Sequence, residues 1–234
     1  MHTAFTLLDE QADFIVLDKA AGVSFHSDDG AGLVVLAEKQ LGYSLYPVHR
    51  LDKVTSGLII LARNSKTAAA LTALFTGHQV EKYYLALAHG KPAKKQGWVK
   101  GDMAAARRGS WKLLSSQQNP AVSYFISQGF ADLPFRAYLV KPYSGKTHQI
   151  RVALKSQGVP IVGDGQYQGG EADRVYLHAY ALRFCLDTKH YQYVQQPTAG
   201  ALYQQLMQTG ILSTWARPWD LLWPQYTIPK QVTS

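Results

Sequence analysis

Cysteine is almost absent from this chain of 234 residues, which contains Cys185 and no other. A lone thiol excludes an intramolecular disulfide framework and a zinc site built from paired cysteines. Cys185 stands in the apolar run 182–186, a pattern that is typical of a strand. We therefore expect a buried thiol without a chemical role.

Long apolar runs are also missing. No stretch approaches the roughly 18 consecutive apolar residues that a membrane-spanning helix needs. The N-terminal region carries Asp9, Glu10 and Asp13, and it lacks the basic segment and long apolar segment of a secretory signal. The sequence therefore predicts a soluble, cytoplasmic protein with no membrane partner.

Acidic residues are fewer than basic ones. Lys and Arg number 24 against 16 Asp and Glu, which gives a net charge of +8 and a pI of about 9.4. This balance favours a polyanionic partner such as nucleic acid, although charge alone fits a basic protein of any function equally well. The apolar content of 47% is sufficient for a hydrophobic core.

The apolar patterning predicts an α+β fold with much antiparallel sheet. Strands are expected at 13–19, 57–62, 80–89, 121–128, 135–141 and 175–186, and helices at 33–41, 65–76 and 149–157. We expect a single domain over 1–234, with a basic, exposed insertion at about 91–119. A C-terminal extension from about residue 191 contains Trp215, Trp219 and Trp223, which should pack back on the body.

The first cluster of reactive side chains is His-Arg-Leu-Asp at 49–52, followed by Thr-Ser-Gly at 55–57 and an apolar run. An aspartate between an arginine and a hydroxyl-rich turn, directly ahead of a buried strand, is in a position that would hold a reactive side chain still. Asp52 is therefore a candidate nucleophile or cation stabiliser at a sugar carbon. Asp164 could approach it as a second carboxylate, and a structural ion pair is the plain alternative.

A second cluster, Gly-Lys-Thr-His-Gln-Ile-Arg at 145–151, lies at a predicted helix start. Backbone N–H groups and two cations there suit a phosphate, and an ordinary capped helix start explains the pattern equally well. A third pattern is Lys-Tyr-Tyr at 82–84, where Lys82 and Tyr84 point to the same face of a strand. Taken alone, a tyrosine on a strand is expected to belong to the core.

These patterns resemble motifs of the RluA-type pseudouridine synthases. The stretches 49–57, 82–84 and 145–151 match three of the family's motifs, and 158–164 and 176–179 match two more, in the family's order. The matching blocks run from about residue 13 to 186. The family's Lys-Pro-x-Gly turn is Lys-Ala-Ala-Gly at 19–22 here, and its Gly-His-Pro is Gly-Val-Pro at 158–160.

The resemblance implies a catalytic fold with a largely antiparallel mixed sheet flanked by helices. It also implies isomerisation of uridine to pseudouridine in rRNA or tRNA, without a cofactor. Asp52 would be catalytic, Arg151 would be its ionic partner, and Tyr84 and Leu177 would lie on either side of the base. Substrate contacts would further come from His49, Arg50, Thr55, Lys82, Lys146, His148 and Gln149.

Particular roles follow for the cations in that set. Arg50 would fill the gap that a flipped-out nucleotide leaves behind, and Lys82, Lys146 and the basic insertion would hold phosphates. The chain begins almost at the first predicted strand, so an N-terminal S4-like RNA-binding domain is not expected. We expect a monomer that needs no protein partner.

Two alternatives use the same residues differently. One is a catalytically silent RNA-binding protein of this fold, and the other is a nucleosidase or glycoside hydrolase that uses Asp52 on a small substrate. A metal site is not expected, because His49, His148 and His178 lie in separate motifs without the close spacing of zinc ligands.

Overall fold

The computed structural model describes residues 3–25 and 30–227. Its strands are β1 Phe5–Glu10, β2 Phe14–Lys19, β3 Tyr46–Pro47, β4 Ser56–Ala62, β5 Glu81–Ala88, β6 Gln96–Gly101, β7 Met103–Ala105, β8 Trp111–Leu113, β9 Ala121–Gly129, β10 Arg136–Pro142, β11 Leu177–Leu186 and β12 Lys189–Val194. Its α-helices are α1 Leu33–Leu41, α2 Ser65–Thr76, α3 Gln149–Ser156, α4 Ala201–Gln208 and α5 Ile211–Thr214. Short 3-10 turns lie at Arg107–Gly109, Gly165–Tyr167 and Pro218–Asp220.

The chain folds into two compact units, each made of two segments. The first comprises the described residues up to Lys82 together with Leu177–Thr198. The second comprises Tyr83–Tyr176 together with the described residues from Ala199 onward. The prediction of a single domain over the whole chain stays a prediction.

The first unit contains a mixed sheet in the order β1, β2, β4, β11, with β3 paired to β4 and β12 paired to β11. The pairing of β4 with β11 is parallel, while β2 and β12 are antiparallel to their neighbours. Asp187 and Thr188 join β11 to β12, both with positive φ. A two-residue turn of this kind suits the right-handed twist of a hairpin.

The core of the first unit lies between its sheet and helix α2. All seven residues of β4 are buried, and Leu58, Ile60, Phe184 and Leu71 pack into one cluster. Helix α2 begins at Ser65, as expected, and Asn64 is its N-cap: the Asn64 side chain accepts the N–H of Thr67 at 2.8 Å. An amide oxygen at this position replaces a missing intrahelical partner.

The second unit contains an antiparallel sheet in the order β5, β10, β9, β6. Strand β6 lies within the segment 91–119, which we expect from the sequence to be a basic, exposed insertion. It nevertheless pairs with β9 along its whole length, and Val99 on it is buried. Strands β7 and β8 form the separate small hairpin. A strand needs apolar side chains on one face only, so the high lysine content of the segment 91–119 did not prevent β6 from forming, although it obscured the strand pattern in the sequence.

The C-terminal segment packs on the body of the second unit. The ring of Tyr203 on α4 lies 4.9 Å from that of Tyr176, and Trp215 is buried. The ring of Trp223 lies 5.5 Å from the buried Tyr83 on β5. The expected packing of the tail is confirmed for Trp215 and Trp223.

The predicted fold class is confirmed, since helices flank sheets that are mixed in one unit and antiparallel in the other. The prediction for Cys185 is wrong: its side chain is exposed on β11, because it lies on the opposite face from the buried Phe184. No helix among the described residues is long and apolar enough to cross a membrane.

Candidate active site

Asp52 lies in the short loop between β3 and β4 of the first unit. Its carbonyl accepts the N–H of Thr55 at 3.0 Å, which closes a tight turn directly ahead of β4. Leu51 and Thr55 are buried on either side, whereas Asp52 itself is half-buried and Arg50 is exposed. The buried neighbours fix the backbone, so the carboxylate is positioned by a rigid turn.

His49 holds the start of this loop against β4. Its Nε2 accepts the N–H of Ile60 at 2.9 Å, and its ring stacks on that of Phe75 at 4.1 Å. Burial, together with the positive charge of Lys82, lowers the pKa of His49 to about 3. The imidazole is therefore neutral at physiological pH, as its acceptor role at Nε2 requires.

Lys82 reaches the same aromatic side chain. Its Nζ lies 5.9 Å from the centre of the Phe75 ring, and burial lowers the pKa of Lys82. The structure thus brings together two of the predicted substrate-binding residues, His49 and Lys82, around Phe75. An ammonium group that has lost solvent gains from a nearby anion, which is consistent with the predicted phosphate contact.

A buried lysine ties the Asp52 turn to the end of β2. Lys19 is fully buried, and its Nζ donates to the carbonyls of Ala20 (2.9 Å), Val23 (2.9 Å) and Lys53 (3.2 Å). The N–H of Gly22 also donates to the Lys53 carbonyl, at 2.8 Å. Lys19 therefore supports the residue that follows Asp52, a positioning role that was not among our predicted site residues.

Ser56 and Gly57 connect the turn to β11, which carries Leu177. The Ser56 hydroxyl lies 2.7 Å from Nδ1 of His178, whose Nε2 is 2.9 Å from the Gln195 carbonyl. At Gly57, where φ is +108°, an added Cβ would lie 2.3 Å from the Ala179 carbonyl oxygen. This close approach places Leu177, which is buried, on a strand that is bonded directly to the Asp52 segment.

In the second unit, Arg151 is buried on α3 and held by Asp164. Nε donates to Oδ2 at 2.7 Å and an Nη donates to Oδ1 at 2.9 Å. The same Nη donates to the Gln166 side chain at 2.8 Å, and the guanidinium lies 4.8 Å from the centre of the Tyr167 ring. The predicted pairing of Arg151 with Asp52 would join the two units and stays a prediction.

The residues ahead of Arg151 are fixed by hydrogen bonds within the second unit. The Gln149 side chain accepts from the Ser144 hydroxyl (2.8 Å) and the Lys146 N–H (2.9 Å), and it donates to the Val122 carbonyl (3.0 Å) and the Ser123 hydroxyl (2.9 Å). These four bonds occupy the amide of Gln149. Gln149 therefore positions the loop, and direct contact with substrate stays a prediction.

His148 and Lys146 have different surroundings. His148 has a φ of +56°, and its Nδ1 lies 2.8 Å from the Tyr167 hydroxyl. The Lys146 ammonium donates to the Asn119 side chain at 2.7 Å.

Tyr84 is half-buried on β5, opposite Val140 of β10, while its neighbour Tyr83 is buried on the other face. The predicted alternation along β5 is confirmed.

The comparisons with known proteins show the family of this chain. Residues 13–156 match the family described as RNA pseudouridylate synthase. A protein of Haemophilus influenzae, described as an uncharacterized RNA pseudouridine synthase, is 49% identical over 179 residues, which cover 75% of this chain and 80% of that protein. The chain belongs to the RNA pseudouridylate synthase family. It is of the RluA type, as predicted, and it is an isomerase that acts on uridine in RNA.

More distant relatives of the synthase have different RNA targets in their names. The tRNA pseudouridine synthase C of Haemophilus ducreyi is 29% identical over 84% of this chain and 90% of its own. The ribosomal large subunit pseudouridine synthase C of Rickettsia bellii is 33% identical over 74% of this chain and 61% of its own. This chain also resembles the solved structure of human RNA pseudouridylate synthase domain containing 1. The aligned residues cover 88% of this chain and 94% of the human chain, with a TM-score of 0.71 and 24% identity. That likeness confirms the fold.

Among the residues around the candidate site, the sequence analysis missed Lys19, Gln166 and Tyr167, and it gave Asp164 a different partner. A lysine at the end of an apolar strand is a signal for a buried cation. No pattern in the sequence around Gln166 and Tyr167 indicates their roles, because these roles depend on which loop packs against α3.

Proposed function

We propose that the synthase converts a specific uridine of a ribosomal or transfer RNA to pseudouridine, with Asp52 as the catalytic carboxylate. The observation that carries the proposal is the rigid turn at Asp52, anchored by Thr55, by Leu51 and by the Lys19 contact to Lys53. A reacting group must be held within a fraction of an ångström of its target to be effective.

The reaction rearranges one nucleotide. The N1–C1′ bond breaks, uracil turns while it is bound, and C5 joins C1′ as the C5 proton is lost and N1 gains one. Substrate and product contain the same atoms, so the reaction consumes no co-reactant. The Asp52 carboxylate acts at C1′ or on the neighbouring proton of the ribose, which are the nucleophilic and glycal-forming routes, respectively.

The target base must leave its stack to reach Asp52. Extrusion of a nucleotide costs a few kcal/mol, which stacking on a protein side chain offsets in part. Tyr84 and Leu177 are the proposed contacts for the uracil, and the exposed Arg50 is the proposed replacement for the nucleotide in the helix. Lys82, Lys146 and the exposed cations of the segment 91–119 are the proposed phosphate contacts.

The test is incubation of wild-type protein and an Asp52→Asn variant with unmodified ribosomal and transfer RNA transcripts, followed by mapping of pseudouridine. Asn keeps the size of the side chain and removes its charge. We expect one or a few mapped uridines with the wild type and none with Asp52→Asn, while both proteins bind the transcripts equally. Asp132→Asn, at an exposed site in a loop of the second unit, is the matched control.

Three results would contradict parts of the proposal. Equal activity of Asp52→Asn would remove Asp52 from the catalytic role. Release of free uracil without pseudouridine would favour the hydrolase alternative. Binding without modification of any transcript would reject free ribosomal and transfer RNA as substrates. The monomeric state and the cytoplasmic location stay predictions.

A further inference from the structure

The small hairpin of β7 and β8 in the second unit presents cations to solvent. Arg107, Arg108 and Lys112 are all exposed. Arg108 has a φ of +55° and Gly109 one of +70°, so two consecutive residues at the tip are left-handed. A non-glycine residue in that region is uncommon, and the surrounding contacts must hold it there.

Gln166 makes the first of two connections between this hairpin and Arg151. Its Nε2 donates to the carbonyl of Arg108 at 3.2 Å, and its Oε1 accepts from Arg151 at 2.8 Å. One amide therefore bonds to the left-handed residue of the hairpin tip at one end and to a buried guanidinium at the other. A shift of the hairpin tip would therefore move Oε1 of Gln166, the oxygen to which Arg151 donates.

Tyr167 makes the second connection. Its hydroxyl accepts the backbone N–H of Trp111 on β8 at 3.0 Å and lies 2.8 Å from His148. Its ring is buried and lies beneath the guanidinium of Arg151, 4.8 Å from its central carbon. The Tyr167 side chain thus contacts three groups: the backbone of the hairpin at Trp111, His148 at the start of α3, and Arg151.

The base of the hairpin is fixed separately. The Asp102 carboxylate accepts the N–H groups of Gln118 (3.0 Å) and Asn119 (2.7 Å), and Lys146 donates to Asn119. Hydrogen bonds from Ser116 and then from Gln118 lower the pKa of Asp102. The base of the hairpin is thus held by groups other than Gln166 and Tyr167, which contact Arg108 at the tip and Trp111 on β8.

We propose that Gln166 and Tyr167 are positioning residues that couple the basic hairpin to Arg151, so that RNA bound along the hairpin sets the orientation of the guanidinium. The inference rests on the proposed function for the nature of the substrate, and on the predicted pairing of Arg151 with Asp52 for the role of Arg151. On this proposal, the hairpin contributes to the reaction rate as well as to RNA affinity. RNA that does not contact the hairpin would still bind, but Arg151 would be misaligned and the reaction would be slow.

The first test observes Arg151 directly and needs no turnover. The Nε–H resonance of Arg151, assigned by comparison with Arg151→Lys, is followed by NMR as RNA is added. The RNA is the stem-loop that carries the mapped uridine or, if none maps, an unmodified transfer RNA transcript at low salt. We expect this resonance to shift in the wild type and in Tyr143→Phe, whose hydroxyl bonds to the Pro224 carbonyl. In Tyr167→Phe and Gln166→Met the shift is lost although RNA still binds.

The second test separates positioning from binding. With the mapped stem-loop, we expect Tyr167→Phe to lower kcat by about tenfold with KM within about twofold of the wild type. Joint replacement of Arg107, Arg108 and Lys112 by alanine, which removes the cations that hold RNA on the hairpin, should both raise KM and lower kcat. An Arg151 resonance that shifts equally in all variants would overturn the proposal, whether or not pseudouridine forms. So would an unchanged kcat in both Tyr167→Phe and Gln166→Met. Gln166 is exposed, so its replacement does not endanger folding.

Discussion

Arg151 and Asp164 form a buried ion pair with two parallel hydrogen bonds, of 2.7 and 2.9 Å. The side chains are 5% and 2% exposed, so neither charge can be compensated by water. A pair of this geometry holds two guanidinium nitrogens, Nε and one Nη, on a single carboxylate. Gln166 and the Tyr167 ring contact the same guanidinium, so the orientation of Arg151 depends on all three residues.

Removal of the Asp164 charge should destabilise the protein strongly. We expect Asp164→Asn to lower the free energy of unfolding by about 3 to 5 kcal/mol, because the buried Arg151 loses the charge of this carboxylate. The measurement is chemical denaturation monitored by tryptophan fluorescence. Asp220→Asn, which breaks the exposed pair with Arg217, should change stability by less than about 1 kcal/mol. Equal effects of the two variants would contradict the prediction.

Replacement of Lys19 should affect both stability and the Asp52 turn. Lys19→Met leaves three carbonyls, including that of Lys53, without their shared donor. We expect a loss of about 2 to 4 kcal/mol in unfolding free energy. We also expect reduced pseudouridine formation at temperatures where the variant is folded. Lys39→Met, at an exposed position on α1, is the control and should behave as wild type. A fully active, stable Lys19→Met protein would remove the positioning role.

A methyl group at Gly57 should be poorly tolerated. Its Cβ would lie 2.3 Å from the Ala179 carbonyl, and φ is +108°. We expect Gly57→Ala to lower the thermal midpoint by more than about 10 °C or to prevent folding. Gly22→Ala is the matched control: φ is +85° there, but nothing lies within 4 Å of the added carbon. It should cost only about 1 to 2 kcal/mol. Similar midpoints for both variants would contradict the close approach of β4 and β11.

His49 should make the protein acid-sensitive below pH 6.5. Its pKa is about 3 in the folded state, below the ordinary value of 6.5, so the unfolded state binds more protons between these values. Its contribution to stability is complete above pH 6.5 and is lost as the pH falls, by up to roughly 1.4 kcal/mol per pH unit.

Unfolding free energies at pH 7.5, 6.0 and 5.0 check this expectation. His49→Gln, whose amide oxygen can still accept the Ile60 N–H, should lose less stability than the wild type between pH 7.5 and 5.0. The exposed His190→Gln control should follow the wild-type curve. Parallel curves for the wild type and His49→Gln would show that the imidazole is not the source of the slope.

The sequence was most informative where structure is local. The apolar runs predicted β2, β4, β5, β9 and β10 within one or two residues, because the side chains of a strand alternate with a fixed period. Helix α1 ends at Leu41, as predicted, because Gly42 after it takes the left-handed conformation that is typical of a C-terminal cap. Patterning failed at β6, where the two apolar residues Trp98 and Val99 stand among glycine and polar residues, and at Cys185, where the exposed face of β11 was misassigned.

The motifs determined the family, the reaction class and the candidate residues, since a reactive group and its supporting turn are encoded within a few consecutive residues. Only the tertiary structure decided how each candidate is held: Arg151 by Asp164, His49 by Phe75 and Ile60, and the Asp52 turn by Lys19. These partners are separated along the chain by 11 to 34 residues or belong to different elements. No periodicity relates them, because the contact depends on where loop closure and core packing bring each segment.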